Sequence, residues 1–342
     1  LETWLGYTES RGAPALREAI AHSYHGIGAG EVLVHAGAEE AILNLYLALL
    51  RPGDALIVQY PCYQSLEEIP VGLGADVIRW KVRQSPTRGW YFDPADLEEA
   101  LKLATARHGG KPPAMVVLNQ PHNPTGTLMN RQDFDTVIRL CAERDIVLLT
   151  DEVYRGLEYD DTQRLPAVCE AYPHGISLGV LSKAWGLAGL RIGWLATRRH
   201  DILDAVAVVK DYNSICASAP SETMARVALA RSERILARNR QICTTNRDAF
   251  AGFFSRWSAL FSWHPPQGGS IAFPHLTELG VRRWGSAARL AEQLVEETGV
   301  LLLPGNMYGD DFAAHFRIGL GRKMVMQGLS VLEDWLTRQH QP

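Results

Sequence analysis

The side chains that could do chemistry in this chain are few, and each follows or interrupts an apolar run. Lys183 lies in Leu181-Ser182-Lys183-Ala184-Trp185-Gly186, between such a run and a glycine-containing turn. A lysine taken alone is most often an exposed surface charge. At the end of a buried strand, however, desolvation can depress its amine pKa, and it can then act as an amine nucleophile. Asp151 opens Asp151-Glu152-Val153-Tyr154 after another apolar run. It can cap the turn that follows. Buried, it can instead pair with a protonated heterocycle nitrogen and keep a pyridine-type electron sink cationic. Asn119-Gln120-Pro121-His122-Asn123-Pro124-Thr125-Gly126 is a turn-rich strand exit that can aim two asparagine amides into a cleft. Arg191, in Gly189-Leu190-Arg191-Ile192-Gly193, enters an apolar run between glycines. Its planar fork suits phosphate better than an ammonium does. Arg317, in Phe316-Arg317-Ile318, suits a carboxylate, internal or from a substrate.

These groups can meet only if strand ends are brought together. Apolar runs at 55–58, 76–80, 114–118, 146–150, 175–181 and 191–196 read as strands. Helical spacing covers 14–24, 39–50, 94–107 and 130–144, with Pro14 suited to a first helical position and Asp93 to an N-cap. Continuous apolar strands separated by helices predict a mainly parallel sheet covered on both faces, with ligands at the carboxyl ends of the strands. Asn119, Asp151 and Ser182-Lys183 all follow strands there. Helices over 222–231 and from 232 to about 257 lead into further strands at 268–273, 300–303 and 316–319, a helix over 286–298 and a last helix ending near 338. The predicted architecture is α/β: a three-layer large domain over 14–232 and a smaller α/β C-terminal domain over 233–342. Residues 1–13 start without Met and run at once into a structured motif, so an N-terminal segment is expected to be missing.

With 34 basic and 38 acidic residues, scattered, the net charge is −4, which excludes an electrostatic draw to nucleic acid or anionic lipid. The five widely spaced cysteines make neither a disulfide framework nor a C-x-x-C zinc site, and they predict a reducing, cytoplasmic setting. Apolar runs are far shorter than the roughly 20 residues that span a bilayer.

Taken together and in order, Asn123-Pro124-Thr125-Gly126, Asp151-Glu152-Val153-Tyr154, Ser182-Lys183, Gly189-Leu190-Arg191-Ile192-Gly193 and Phe316-Arg317 resemble the class I/II aminotransferases, fold-type I enzymes that use pyridoxal 5′-phosphate. The resemblance implies a Schiff base between Lys183 and the coenzyme, with the freed lysine amine shuttling a proton between substrate and coenzyme. Asp151 would pair with the pyridine nitrogen, and Tyr154 and Asn123 with the phenolic oxygen. Arg191 and the amides of Gly37, Ala38 and Glu39 would hold the phosphate, where a helix N-terminus favours an anion, and Ser182 would also touch the coenzyme. Tyr63 would stack on the ring, and Arg317 would grip the substrate carboxylate, with Asn123 beside it. Tyr7 would reach the phosphate of a neighbouring subunit, which implies a homodimer. The implied partners are an amino acid and a 2-oxo acid. Val180 stands where many relatives carry a phosphate-binding serine, so one hydrogen bond of the family pattern is missing.

Other chemistry on the same fold stays open: a C–S β-lyase, a ring-forming synthase, an oxidase, or a ligand-sensing domain of a transcription regulator. The acidic balance and the lack of a basic helix-turn-helix weigh against the last. Trp185, Trp194 and Tyr212 are read as core aromatics rather than pocket walls.

Overall fold

The computed structural model describes residues 5–339; residues 1–4 and 340–342, the outermost parts of the expected 1–13 segment and 233–342 domain, lie outside the described residues. The apolar runs form a seven-stranded sheet. Its strands are β1 (Val32–His35), β2 (Ala55–Tyr60) and β3 (Asp76–Lys81), then, after a small hairpin of β4 (Arg83–Ser85) and β5 (Gly89–Tyr91), β6 (Met115–Asn119), β7 (Val147–Asp151), β8 (Gly175–Val180) and β9 (Gly193–Ala196). Their spatial order is β1-β9-β8-β7-β6-β2-β3. β3, β2, β6, β7 and β8 pair in parallel, and β9 runs antiparallel to both β8 and β1.

The pleat decides which residue covers which face. Leu56, Val58, Val117 and Leu149 pack with Ile42 and Leu45 of the Ala38–Leu49 helix and Leu203 and Val206 of the His200–Asp211 helix. Ile57, Val116, Leu118 and Leu148 face the other way, onto Leu97 and Leu101 of the Pro94–Arg107 helix and Phe134 and Val137 of the Arg131–Ala142 helix. Each fully buried Leu, Ile or Val contributes roughly 1.5–3 kcal/mol. Because both faces are covered, the central strands β2, β6, β7 and β8 are mainly apolar instead of alternating, whereas the edge strand β3 alternates and exposes Arg79 and Lys81. The register sets Asn119 of β6 opposite Asp151 of β7, and Asp151 opposite Leu178 of β8. The polar exits of three adjacent strands thus share one edge.

The Ser232–Arg256 helix, about 37 Å long at the usual rise, leaves this layer for a second one. Near its start Asn239 Nδ2 donates to the Ala184 carbonyl at 2.9 Å. Near its end Phe250, Phe253 and Phe254 join a separate core with Leu290, Leu294, Trp335 and Leu336. Short pairs complete that unit: β10 (Phe261–Ser262) with β12 (His275–Leu276), and β11 (Ile271–Ala272) and β13 (Leu303–Pro304) on either side of β14 (Phe316–Gly319).

Some elements differ from expectation. The strand expected from 191 begins at Gly193, because Arg191 has φ 52°, a left-handed conformation that no strand accommodates. The strands expected at 268–273 and 300–303 shrink to two-residue pairings. β1 and the His200–Asp211 helix had no counterpart in the sequence reading. Trp194 is core, as read, but Trp185 is only partly buried and Tyr212 is 91% exposed.

Candidate active site

At the carboxyl edge of the sheet a cavity of about 450 Å³ is lined by Ala38, Glu39, Tyr63, Asn123, Asp151, Tyr154, Ser182, Lys183, Arg191 and Arg317, together with Val180 and a few apolar neighbours. Apart from Gly37, at its edge, and Tyr7, every residue that the family resemblance assigns to coenzyme or substrate lines it; Asn119 does not point into the cleft, because its Nδ2 donates to the Asp151 carbonyl and its Oδ1 accepts from the Asn123 backbone amide.

Asp151 lies at the buried floor, 3% exposed. Its Oδ1 accepts a hydrogen bond from the Val153 amide at 3.1 Å. Burial pushes its carboxyl up to about 7, against the pull of that amide and of the Lys183 charge. A buried acid held so high lacks a close cation, and a cationic ring N–H would supply one. Lys183 is open to the cavity, but its amine is crowded by protein: desolvation first, then the Arg317 charge, lowers its pKa, while Asp151 and Glu39 act in the opposite direction. More of the amine is therefore neutral at a given pH. The Tyr154 phenol is buried beside them, and its pKa is raised by desolvation, so it remains a neutral donor.

Opposite this floor is an anion cradle. The Ala38–Leu49 helix begins at Gly37, and its first amides have no intrahelical acceptor. Arg191 leans over it: Nη2 lies 3.4 Å from the Ala36 carbonyl, and Nη1 lies 3.2 Å from the Ala188 carbonyl and 3.4 Å from Ser182 Oγ. No carboxylate pairs with this guanidinium among the described residues. A Cβ at Gly37 would come within 2.2 Å of Arg191 Nη2, and Gly37 has φ 96°, so only glycine admits the approach.

The loop after β6 is held from within. Asn119 Oδ1 accepts from the Asn123 amide. His122 Nε2 donates to the Pro61 carbonyl at 2.8 Å, which leaves Nδ1 to accept from the Thr125 hydroxyl at 2.8 Å. Desolvation pushes that imidazole down to about 3, so it stays neutral. One histidine thereby ties the loop carrying Asn123 to the segment carrying Tyr63. The Tyr63 phenol is pushed up to about 12, by burial and by its hydrogen bond to Glu39.

Arg317, on β14, reaches back to the loop after β6. Its Nη1 donates to Tyr308 at 2.7 Å and to Asn123 Oδ1 at 3.2 Å. Tyr308 was not singled out from the sequence. Its only signal there is a position in the turn segment before the Arg317 strand. A second cavity of about 680 Å³ opens on the other side of Lys183 and Arg317 towards the Ser232–Arg256 helix, with Arg238, Arg322 and Lys323 in its wall and no acidic residue. Tyr7 lines neither cavity and is 77% exposed.

Residues 1–328 match the family model for aminotransferase class I and II. The chain belongs to this family. Among similar curated proteins, capreomycidine synthase of Streptomyces vinaceus is 29% identical over 96% of this chain and 80% of its own length. Arginine–pyruvate transaminase AruH of Pseudomonas aeruginosa is 29% identical over 92% of this chain and 77% of its own length. Among solved structures, a PLP-dependent aminotransferase from Streptococcus suis superposes with TM-score 0.87 at 31% identity, covering 99% of this chain and 86% of that one. A PLP-dependent cyclase, OrfR, superposes with TM-score 0.88 at 28% identity and the same coverage. The fold is that of the PLP-dependent aminotransferases, and the cofactor this family implies is pyridoxal phosphate. The residues present fit it: a buried acid without a close cation, an amine of lowered pKa, and a glycine-lined cradle with an arginine free of carboxylates.

Proposed function

We propose that this protein is an aminotransferase that moves an amino group between an L-amino acid and a 2-oxo acid in two half-reactions. The observation that carries the proposal is the single cavity in which Lys183, Asp151, Arg191 and Arg317 converge. When bound, pyridoxal phosphate supplies an electron sink for the substrate's α-carbon. Arg191, Ser182 and the amides of Gly37, Ala38 and Glu39 hold its phosphate. Asp151 pairs with the ring nitrogen, Tyr154 and Asn123 donate to the phenolic oxygen, and Tyr63 covers the ring. Lys183 Nζ would hold the coenzyme's aldehyde carbon as an imine, with loss of water. Once a substrate amine takes its place there, the freed Lys183 amine would accept the α-proton and hand it back on the coenzyme side. Arg317 orients the substrate carboxylate. The larger cavity beyond Lys183 gives substrate side chains room.

We also read the chain as a large unit over 14–232 and a small one over 233–342, supported by their separate cores, and as a homodimer. Leu43, Leu47, Val208, Tyr212 and Ile215 are exposed on or beside two helices that pack together. Apolar groups clustered in this way mark an association surface. Tyr7 is exposed beside Thr8, whose hydroxyl donates to the Ala217 carbonyl close to Ile215, so a second copy would receive it at its phosphate cradle. The five free cysteines support a reducing compartment, the cytoplasm.

A second reading, ring formation without amino transfer, is favoured by the likeness to a synthase and a cyclase. Half-reaction spectroscopy separates the two. An aminotransferase loses the visible band of its bound coenzyme when given an amino acid, releases the matching 2-oxo acid, and regains the band with a 2-oxo acid. A cyclase releases no 2-oxo acid. Lys183→Ala should lack the band in either case; a normal band in that variant would sink both readings.

A further inference from the structure

Tyr308 belongs to none of the motifs considered above, yet it stands between the two groups that would hold substrate and coenzyme. Its hydroxyl accepts from Arg317 Nη1 at 2.7 Å and donates to Asn123 Oδ1 at 3.3 Å. Arg317 Nη1 also reaches Asn123 Oδ1, at 3.2 Å, which closes a three-membered network across the gap between the small unit and the large one. Two donors aimed at Oδ1 leave the amide one orientation. Nδ2 must face the other way, and it has no acceptor among the described residues. The same contacts engage one edge of the guanidinium and leave its Nη2 without a bond in this network.

The ring that carries the hydroxyl is itself held. Tyr308 is 9% exposed and meets Phe273 edge-on, with centroids 5.5 Å apart. It shares a cluster with Tyr60, Trp90 and Phe312. The next residue, Gly309, has φ 128° and approaches Tyr60 so closely that an added Cβ would lie 1.8 Å from its hydroxyl oxygen. The hydroxyl is therefore placed by packing rather than by a mobile loop.

We propose that Tyr308 is a positioning residue that sets the Arg317 guanidinium for the substrate carboxylate and turns the Asn123 amide N–H toward the coenzyme's phenolic oxygen. This rests on the aminotransferase-family reading of the site. It adds a residue that couples substrate binding to the coenzyme.

The test uses the coenzyme-loaded protein and Tyr308→Phe, which keeps the ring and removes the hydroxyl. The probe is an unreactive amino-acid analogue methylated at the α-carbon, titrated by calorimetry, so nothing depends on turnover. The expected result is a dissociation constant roughly tenfold higher, the size of one hydrogen bond to a charged group. The pH midpoint of the coenzyme's visible band should also move upward, because a loosened amide stabilises the phenolate less. Trp90→Phe, which alters the same aromatic cluster through Phe273 without a ring contact to Tyr308, should leave that midpoint in place. If Tyr308→Phe binds the probe as tightly as the parent with an unmoved midpoint, the proposal is overturned. It is also overturned if Trp90→Phe reproduces both changes, since a general loosening of the cluster would then account for them. Failure of the underlying reading looks different: the parent protein itself would show no visible band.

Discussion

At the scale of single residues, the site is built from groups held away from their ordinary protonation behaviour by burial. Asp151 is the clearest case. In the coenzyme-free protein its carboxyl is pushed up to about 7, above the ordinary aspartate range near 4, chiefly by desolvation. The folded protein then holds this proton more tightly than the unfolded chain does. The stability it lends is complete below about pH 4 and is lost as pH rises towards 7. Asparagine has no such proton to lose. Asp151→Asn should therefore gain stability relative to the parent between pH 4 and 8, by on the order of 2–4 kcal/mol. Denaturant unfolding of both coenzyme-free proteins across that range reads it directly. A constant difference would mean that the carboxylate is already compensated and is not waiting for a cationic ring nitrogen. Bound coenzyme should reverse the trend, since its pyridinium repays the buried charge.

At the scale of elements, the phosphate cradle depends on how closely three pieces of backbone approach. Gly193 of β9 lies so near the start of the Ala38–Leu49 helix that an added Cβ would sit 2.7 Å from the Gly37 carbonyl carbon, while the Arg191 guanidinium fills the space beside Gly37 itself. Gly37→Ala puts a methyl group against a flexible side-chain tip, so the fold can yield by moving Arg191. The left-handed φ adds a cost of about 1–2 kcal/mol. Coenzyme affinity should consequently fall more than tenfold in equilibrium dialysis, while the melting temperature of the coenzyme-free protein drops by only a few degrees. Unchanged coenzyme affinity would show that the anion does not sit there.

The same elements explain what the sequence could disclose. β6, β7 and β8 are almost wholly buried, so their residues are mainly apolar, Thr150 and Ser177 excepted, and the polar groups at or just after each strand's carboxyl end mark the site edge. Asn123, Asp151 and Lys183 were legible for that reason. Arg191 was legible as an anion-binding residue, but not as a residue with φ 52°, because a left-handed arginine is set by the turn around it. β11 and β13 are two residues long and exist only as neighbours of β14, so they carry no period of their own. Tyr308 owes its position to Phe273 and Tyr60, which come from distant parts of the chain, together with nearby Phe312. Tyr212 carried no mark to separate an exposed tyrosine from a core one.

At the scale of the whole molecule, the question is whether one chain makes a complete site. Tyr7 is 77% exposed and lines neither cavity of its own chain, whereas its motif implies contact with a coenzyme phosphate. Those two facts are reconciled if each copy completes the other's cradle across the apolar layer that carries Leu47 and Val208. A mixing experiment tests this without a structure of the dimer. Lys183→Ala lacks the nucleophile, and Tyr7→Ala lacks the donated phenol. In a hybrid dimer, the site in the Lys183→Ala subunit receives the altered Tyr7 and carries both defects. The site in the Tyr7→Ala subunit keeps its lysine and receives an intact tyrosine. Unfolding and refolding an equal mixture makes hybrids about half of all dimers, each with one sound site, so activity should return to about a quarter of the parent's. Each variant refolded alone should stay well below that. If the mixture does no better than the average of the two variants, every subunit uses its own Tyr7 or none, and the shared site is disproved even if sedimentation finds a dimer.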